Sequence, residues 1–574
     1  MTTRSPPLAR PGAGRRRPRP QPRAHEWSLS PRPQISRCCG ISSIPTCWLW
    51  RRLAGESWAT SYTTDPDVRP RLSHGVGGRG EDGRMQRAAP AKFALWEVGA
   101  VLAGLALLLL IMVNRYGPHR DELYFVSAGQ RLAWGYPDQP TFTPLLARIA
   151  TELAPHDLLV LRLPSVIAAL LLVVCAAAFA RLLGGGRAAQ LLTAGTVAVS
   201  VITVTLGHRL STATFDTLAW AAVLLVVGHG LRDDRPQLWL LAGLLAGIGL
   251  NNKTAVAFLL FAIFLGVLLV PGCRAQLRTA YPWLGGLIAM LWWLPNLGWQ
   301  LRHGFPVLAL GADIAEEYGG ITGRLALLGQ ALAMFSPVIA IVWLYGLVQL
   351  FRAPEWAKVR PIGVAFLLAT AVFLITAGKG YYLAGAVVPL VAAGCTALAT
   401  RWSVRRLFAV GVVLVVSAAV AWPAFVPVLP VRTYAASFYP ALDSDQLETI
   451  GWPEYVGLVR ATLDSLPADQ RSTAVVFTRN YGEAGALEWY GLDRPVFSGH
   501  NAFADWGPPP EGAGPVIVIG VADPATNFTG CRTAAMINNA AGADNEERGR
   551  QIWICADPQG GWAQQWPRLV HLDA

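Results

Sequence analysis

The sequence predicts a polytopic all-α membrane protein with about eleven transmembrane helices, followed by a small C-terminal extracytoplasmic α/β domain. Three observations lead there. Only 15% of the 574 residues are charged and 53% are hydrophobic, against about 25% charged in ordinary soluble domains. The apolar residues are gathered into runs near the length that crosses a bilayer. The last part of the chain changes character, with short apolar stretches separated by turn residues.

The runs fall near 94–113, 158–180, 188–206, 215–231, 237–251, 254–271, 281–299, 326–349, 361–377, 381–399 and 407–427. A spanning helix needs about 20 such residues, and the first run is too long to be only a cleaved signal. One alternate set of connections holds Arg181 and Arg187, Arg232 and Arg235, Arg274 and Arg278, Arg352, Lys358 and Arg360, and Arg401, Arg405 and Arg406. Short basic loops mark the cytoplasmic side. The N-terminus is then expected in the cytoplasm and the C-terminal region outside, in a multi-pass protein of the cell (plasma) membrane. The net charge of +12 is absorbed by these loops and by the first ninety residues, which leaves no basic face for nucleic acid.

Residues 1–90 are rich in Arg, Pro and Gly with no apolar period. Such a segment cannot bury a core and is expected to be disordered; a translation start at Met85 is the alternative. Residues 91–429 form the expected membrane domain and 430–574 the extracytoplasmic one. In the latter, 474–477 and 516–519 read as buried strands, and 458–466 and 482–490 as helices. The eight cysteines have no metal-ligand spacing. If the C-terminal region lies outside the cytoplasm, Cys531 and Cys555 can form one disulfide.

Charges at the edges of spans are functional candidates. His119-Arg120-Asp121-Glu122 follows the first run, and His208-Arg209 precedes Asp216 at the start of the fourth. Asn251-Asn252-Lys253 and Lys379 with Tyr381 and Tyr382 mark two further span ends. All fall on the outer side. Acids there suit a general base and lysines suit a phosphate. The plainer alternatives are a solvated loop start for Asp121, dipole and cap support for Asp216, and interfacial anchoring for the lysines and tyrosines. The segment Trp134–Pro140, rich in aromatic residues and proline, suits short helices lying in the interface.

Asp121-Glu122-Leu123-Tyr124, the segment Gly135-Tyr136-Pro137-Asp138-Gln139-Pro140 and the run after it resemble bacterial glycosyltransferases of families 39 and 83, which share the GT-C fold. These include protein O-mannosyltransferases and the aminoarabinose transferases that modify lipid A. The likeness covers roughly residues 94–400. Asn480–Ala486, Ser498–Asn501 and Trp506-Gly507-Pro508 are similar to the tail of bacterial family 39 members. The resemblance implies hexosyl or pentosyl transfer, with inversion, from a polyprenyl-phosphate sugar to an extracytoplasmic glycan, lipid or protein. It implies Asp121 as base, with Glu122 and Asp216 beside it. Lys253, Lys379, Arg209 and His208 would hold the donor phosphate, and Tyr124, Gln139 and Tyr382 would line the substrate site. Relatives carry Lys-Pro or His-Pro where this chain has Gln139-Pro140, so a charge expected there is missing. No cofactor is assigned, and a divalent cation is left open.

Two other functions compete. A lipid-linked sugar flippase would place polar groups near the midplane and often shows internal repeats; no such repeat is found and the candidate charges gather at one face. A non-catalytic membrane scaffold would use the C-terminal domain to bind a partner. On that reading residues 480–486 and 498–501 are binding loops; their plainer role is structural, with Gly482 and Gly485 permitting close helix packing and His500 and Asn501 fixing a turn.

Overall fold

The computed structural model describes residues 91–573. The N-terminal segment, with its expected disorder and the Met85 alternative, lies outside the described residues.

The chain enters on α1 (Leu95–Met112), a peripheral apolar helix. Two short helices follow, α2 (Arg120–Gln130) and α3 (Phe142–Leu153), before the long α4 (Leu158–Leu182). On α3, Thr143, Ala147 and Ala150 are buried while Leu145, Ile149 and Leu153 are exposed. An apolar stripe at that spacing suits a helix lying along a membrane surface.

The next expected span is broken into α5 (Arg187–Val199) and α6 (Val201–His208), which meet at 57°. Ser200 sits at the break and caps α6 by accepting from the Thr203 amide. Then come α7 (Thr212–Arg232), the 13-residue α8 (Leu238–Leu250) and α9 (Val256–Leu269). After α10 (Tyr281–Arg302) and α11 (Pro306–Glu317), the run expected at 326–349 divides into α12 (Gly320–Ala333) and α13 (Pro337–Arg352), bent by 94°. Pro337 cannot continue the α12 hydrogen-bond ladder, but it suits the first turn of α13. The bundle closes with α14 (Arg360–Ile375), α15 (Ala384–Arg401) and α16 (Val404–Phe425). Of these α15 is the buried axis, with Val387, Val388, Leu390 and Val391 fully enclosed.

Each apolar run is thus helical, but the runs are not eleven straight spans. Among the described residues six helices are individually long and apolar enough to cross a bilayer, and up to nine spans result if each bent pair counts as one. The short α8 rises only roughly 20 Å at 1.5 Å per residue.

Beyond α16 the chain forms α17 (Val431–Ala435), α18 (Trp452–Asp464) and α19 (Ala468–Thr473). It then builds a five-stranded sheet from β1 (Val475–Thr478), β2 (Val496–Ser498), β3 (Val516–Ile519), β4 (Arg532–Met536) and β5 (Gln551–Cys555), in the order β2-β1-β3-β5-β4. Strand β1 lies parallel to β2 and β3, whereas β5 runs antiparallel to β3 and β4. Helix α20 (Tyr481–Trp489) links β1 to β2, α21 (Ala502–Asp505) follows β2, and α22 (Trp562–Leu569) comes last. Cys531 and Cys555 are joined by a disulfide.

One core runs through α2, α3 and the C-terminal sheet. Leu123, Tyr124 and Ala147 pack in the same cluster as Val459, Ala484, Leu487, Ile517 and Ile519. Helix α20 lies so close to α2 that a Cβ on Gly482 would sit 2.7 Å from the Arg120 Cβ, and one on Gly485 2.9 Å from the Leu123 carbonyl carbon. Only glycine permits that approach.

Candidate active site

The site is built around the first turn of α2. His119 caps the helix: its Nδ1 accepts from the Asp121 amide, and the Glu122 carboxylate accepts from the His119 amide, which completes a capping box. Asp121 and Glu122 are adjacent in sequence, but this turn sends them to different places.

Glu122 is fully buried against the equally buried Arg162 of α4. Arg162 donates from Nε to Glu122 Oε1 at 2.9 Å and from Nη2 to Oε2 at 2.7 Å. The Leu210 amide donates to Oε1 at 2.8 Å. Arg162 also donates to the carbonyls of Val113 and Gly117. Burial would raise the Glu122 carboxyl, but Arg162 outweighs it and holds the group below its usual range. Both oxygens are therefore occupied. Glu122, expected beside the base, is engaged as the strut that fixes α2 to α4.

Asp121 remains about one-third exposed. Its Oδ1 accepts a 2.8 Å hydrogen bond from the Tyr481 hydroxyl at the start of α20. Burial and then the Asp121 charge push the Tyr481 hydroxyl far up, so it stays a donor. The Tyr481 ring stacks on Tyr124, with centroids 4.6 Å apart, and lies 4.5 Å from the His500 ring. His500 Nδ1 accepts from the Tyr481 amide. The Tyr124 hydroxyl donates to Asp138 Oδ1 at 2.8 Å and accepts from the Ala502 amide. At 1% exposure, Tyr124 is a wall behind the site, whereas the sequence suggested a substrate-lining group. Burial pushes the Asp138 carboxyl up to about 7 in spite of that hydrogen bond.

The cationic residues divide into two sets. Arg209, between α6 and α7, forms an ion pair with Asp445. The His119 Nδ1 is an acceptor, so its Nε2 carries the proton and donates to the other Asp445 oxygen at 3.2 Å. Burial would raise Asp445, but Arg209 and His119 together hold it well below the usual carboxylate range. Arg209 is thus already paired. His208 is buried in α6 near Arg162 and Arg209, and its Nδ1 finds no hydrogen-bond donor or acceptor. Arg209 lies within Coulombic reach of Asp121, as Lys379 does.

Lys253 lies in the turn between α8 and α9. That turn is held by Asn252, which accepts from Thr143 Oγ1 and donates to the Thr212 carbonyl, each at 2.7 Å. The Lys253 ammonium stands 4.2 Å from the Tyr382 ring centroid and 5.0 Å from that of Tyr381. Among the described residues no carboxylate forms an ion pair with it. Lys379 lies over Tyr318 at 5.1 Å and within Coulombic reach of Lys253 and Asp121. Asp216, buried in the first turns of α7, lies beside the Trp220 indole and within reach of Lys253. Tyr381 feels the charges of Asp121, Asp216 and Asp445, which places the two lysines, the two tyrosines and Asp121 around one region. Gln139 is 5% exposed, and among the described residues neither of its side-chain polar atoms has a hydrogen-bond partner.

Sequence reasoning assigned no site role to Tyr481, Asp445, Arg162 or Asp138. Tyr481 lay inside a segment already singled out, Asn480–Ala486. Asp445 sits in an irregular turn where nothing local marks it.

The family model described as dolichyl-phosphate-mannose-protein mannosyltransferase matches residues 138–299. The structure of ArnT from Cupriavidus metallidurans bound to undecaprenyl phosphate superposes with a TM-score of 0.55 and 14% identity, covering 80% of this chain and 97% of that one. The chain has the fold of the GT-C glycosyltransferases. The apo state of the same ArnT gives a TM-score of 0.54 and 13% identity over the same shares. The archaeal oligosaccharyltransferase AglB from Archaeoglobus fulgidus, in complex with an inhibitory peptide and a dolichol-phosphate, is similar over 70% of this chain and 64% of its own, with 13% identity and a TM-score of 0.39. No curated protein matches the sequence. With its GT-C fold and apolar helices, this is a multi-pass membrane protein.

Proposed function

We propose that this protein is a membrane glycosyltransferase that moves a hexosyl or pentosyl unit from a polyprenyl-phosphate carrier to an extracytoplasmic acceptor hydroxyl. The observation that carries this reading is the composition of the site: a partly exposed carboxylate, Asp121, oriented by Tyr481, shares one region with Lys253 and Lys379 over an aromatic floor. The GT-C fold and the undecaprenyl phosphate bound to ArnT support the choice of donor.

The prenyl chain lies in the bilayer and its phosphate meets the lysines. Tyr481 occupies Oδ1 of Asp121, so Oδ2 faces the acceptor and takes its hydroxyl proton. The acceptor oxygen forms a bond to the anomeric carbon as the bond from that carbon to the phosphate oxygen breaks, on the opposite face, with inversion. Polyprenyl phosphate leaves with one more negative charge, which Lys253 and Lys379 stabilise in place. Asp216 and Gln139 are available to orient the sugar. The basic loops put the N-terminus in the cytoplasm, and residues 430–574 form an extracytoplasmic domain that completes the site.

The test is incubation of the purified protein and Asp121→Asn with radiolabelled polyprenyl-phosphate sugars and a membrane extract as acceptor pool. Label moving to a new product, with release of polyprenyl phosphate in the wild type alone, is the expected result. Saturable donor binding without turnover in the wild type would favour a flippase instead, and full activity in Asp121→Asn would remove that residue as base.

A further inference from the structure

Beside the first turn of α2 three glutamates meet. One carboxylate oxygen from each of Glu448, Glu546 and Glu547 lies within 4.8 Å of the others. Glu448 belongs to the turn Asp445–Thr449 that precedes α18, and Glu546 and Glu547 to the segment between β4 and β5. Glu546 is exposed. It accepts from Arg120 Nη1 at 3.0 Å and from Asn480 Nδ2 at 3.3 Å. Glu448 and Glu547 are only 6% and 3% exposed, and among the described residues the Oε2 atom of each has no hydrogen-bond donor.

That is an unfavourable arrangement on its own terms. Burying a carboxylate oxygen without a donor costs free energy, and like charges a few ångströms apart repel strongly away from water. Burial, and after it the neighbouring carboxylates, push Glu448 and Glu547 up, with Arg120 the cation that opposes the rise in both. Glu546 and Glu547 also line a polar cavity of about 240 Å³, where Glu483 and Asp573 add further acids and Arg479 and Arg550 supply positive charge. Arg550 spends its Nε on the Glu546 backbone carbonyl. No arginine contact reaches either orphaned oxygen among the described residues.

We propose that Glu448, Glu546 and Glu547 bind one hard divalent cation that fastens the C-terminal domain to the turn entering α2. An all-carboxylate donor set favours Ca²⁺, Mg²⁺ or Mn²⁺ over the thiolate- and imidazole-seeking metals. The cation supplies a partner for both buried Oε2 atoms, and water completes its shell through the exposed Glu546 side. Its position has a structural consequence. The Thr449 carbonyl, next to Glu448, accepts from the Gly117 amide at 3.1 Å. Trp452 Nε1 donates to both the Pro118 and Glu448 carbonyls. Arg120 reaches Glu546 from the other side. A cation at the three carboxylates therefore braces residues 117–120, immediately before Asp121.

The probe is Mn²⁺ alone, titrated into the purified full-length protein while the electron paramagnetic resonance signal of free Mn²⁺ is followed, with no donor or acceptor present. One saturable Mn²⁺ per chain, displaced by Ca²⁺ and weakened at least tenfold in Glu448→Gln and Glu547→Gln but not in Asp493→Asn, is the expected result. Thermal unfolding of the wild type with Mn²⁺ and with EDTA gives a second measurement that needs no variant, and Tm rises with the metal. Absence of saturable binding to the wild type overturns the proposal, as does unchanged affinity in both glutamine variants. A Glu547→Gln protein that is more stable than the wild type, with no metal bound by either, identifies a cluster that only shares protons and overturns it equally. Both readouts are independent of sugar transfer, so they stand or fall apart from the proposed activity.

Discussion

The Tyr481 hydroxyl donates a 2.8 Å hydrogen bond to Asp121 across 360 positions of sequence. A hydrogen bond to a charged group contributes about 1.5–3 kcal/mol, and each 1.36 kcal/mol is tenfold in rate. Tyr481→Phe keeps the ring stacked on Tyr124 and removes only the donor. We expect kcat to fall roughly 10- to 100-fold with little change in the KM for the lipid donor. A fall in thermal stability with kcat intact would reduce Tyr481 to a packing residue.

The Glu122–Arg162 pair predicts a different phenotype. Removing one partner leaves an uncompensated buried charge, at a cost of about 3–5 kcal/mol. Arg162→Met and Glu122→Gln should both unfold at clearly lower temperature, with Arg162→Met the more severe because the Val113 and Gly117 carbonyls also lose their donor. Thermal melts in detergent measure this. Combining Glu122→Leu with Arg162→Leu should recover part of the loss, since replacing both charges leaves none unpaired.

On the proposed reading the lysines act on the donor. Lys253→Ala and Lys379→Ala should each weaken binding of polyprenyl phosphate about tenfold or more, the size expected for loss of one charge-assisted contact. Lys253→Arg should retain part of the affinity because the charge and the face of Tyr382 both remain. Equal affinity in all three variants, measured with the isolated lipid phosphate, would show that the phosphate lies elsewhere.

Asp138 sets a pH dependence. Its folded pKa of about 7 lies above the ordinary value near 3.9 for an unfolded chain. Between about pH 4 and 7 the folded state therefore binds more protons than the unfolded state, so this group's contribution makes stability fall as pH rises. Above pH 7 the full penalty applies. Asp138→Asn keeps an oxygen to accept from Tyr124 and removes the titration. The drop in Tm from pH 5 to pH 8 should be smaller in that variant than in the wild type.

Some of this was legible in the sequence for clear physical reasons. Every apolar run became helical because lipid-facing and core-facing positions in a bundle are both apolar, so composition alone marks them. The bends at Ser200 and at Ser336-Pro337 were missed because averaging over a run hides a single cap or proline. Strands β1 and β3 were read because both lie inside the sheet and are apolar but for Thr478 at the end of β1. Strand β4, Arg532–Met536, is an edge strand with mostly exposed residues, and no alternation announces it. Asp121 stood out as an acid beside a span. Its separation in role from Glu122 did not, because that depends on Arg162, forty residues on, and on the direction each side chain leaves one helical turn. The pairing of Arg209 with Asp445 was invisible for the same reason.

The contact between Tyr481 and Asp121 also gives the protein a history. Asp121 enters the membrane near the start of synthesis, when α2 follows α1, whereas Tyr481 emerges only after the last long apolar helix, Val404–Phe425, has been made. Asp445 and Glu448, which steady the same turn, are translated just before it. A nascent chain with all its membrane helices in place still lacks the hydroxyl that bonds Asp121. On the proposed reading, a chain cut short after α16 holds its carboxylate without the partner that orients it, so efficient transfer waits until translation is nearly finished.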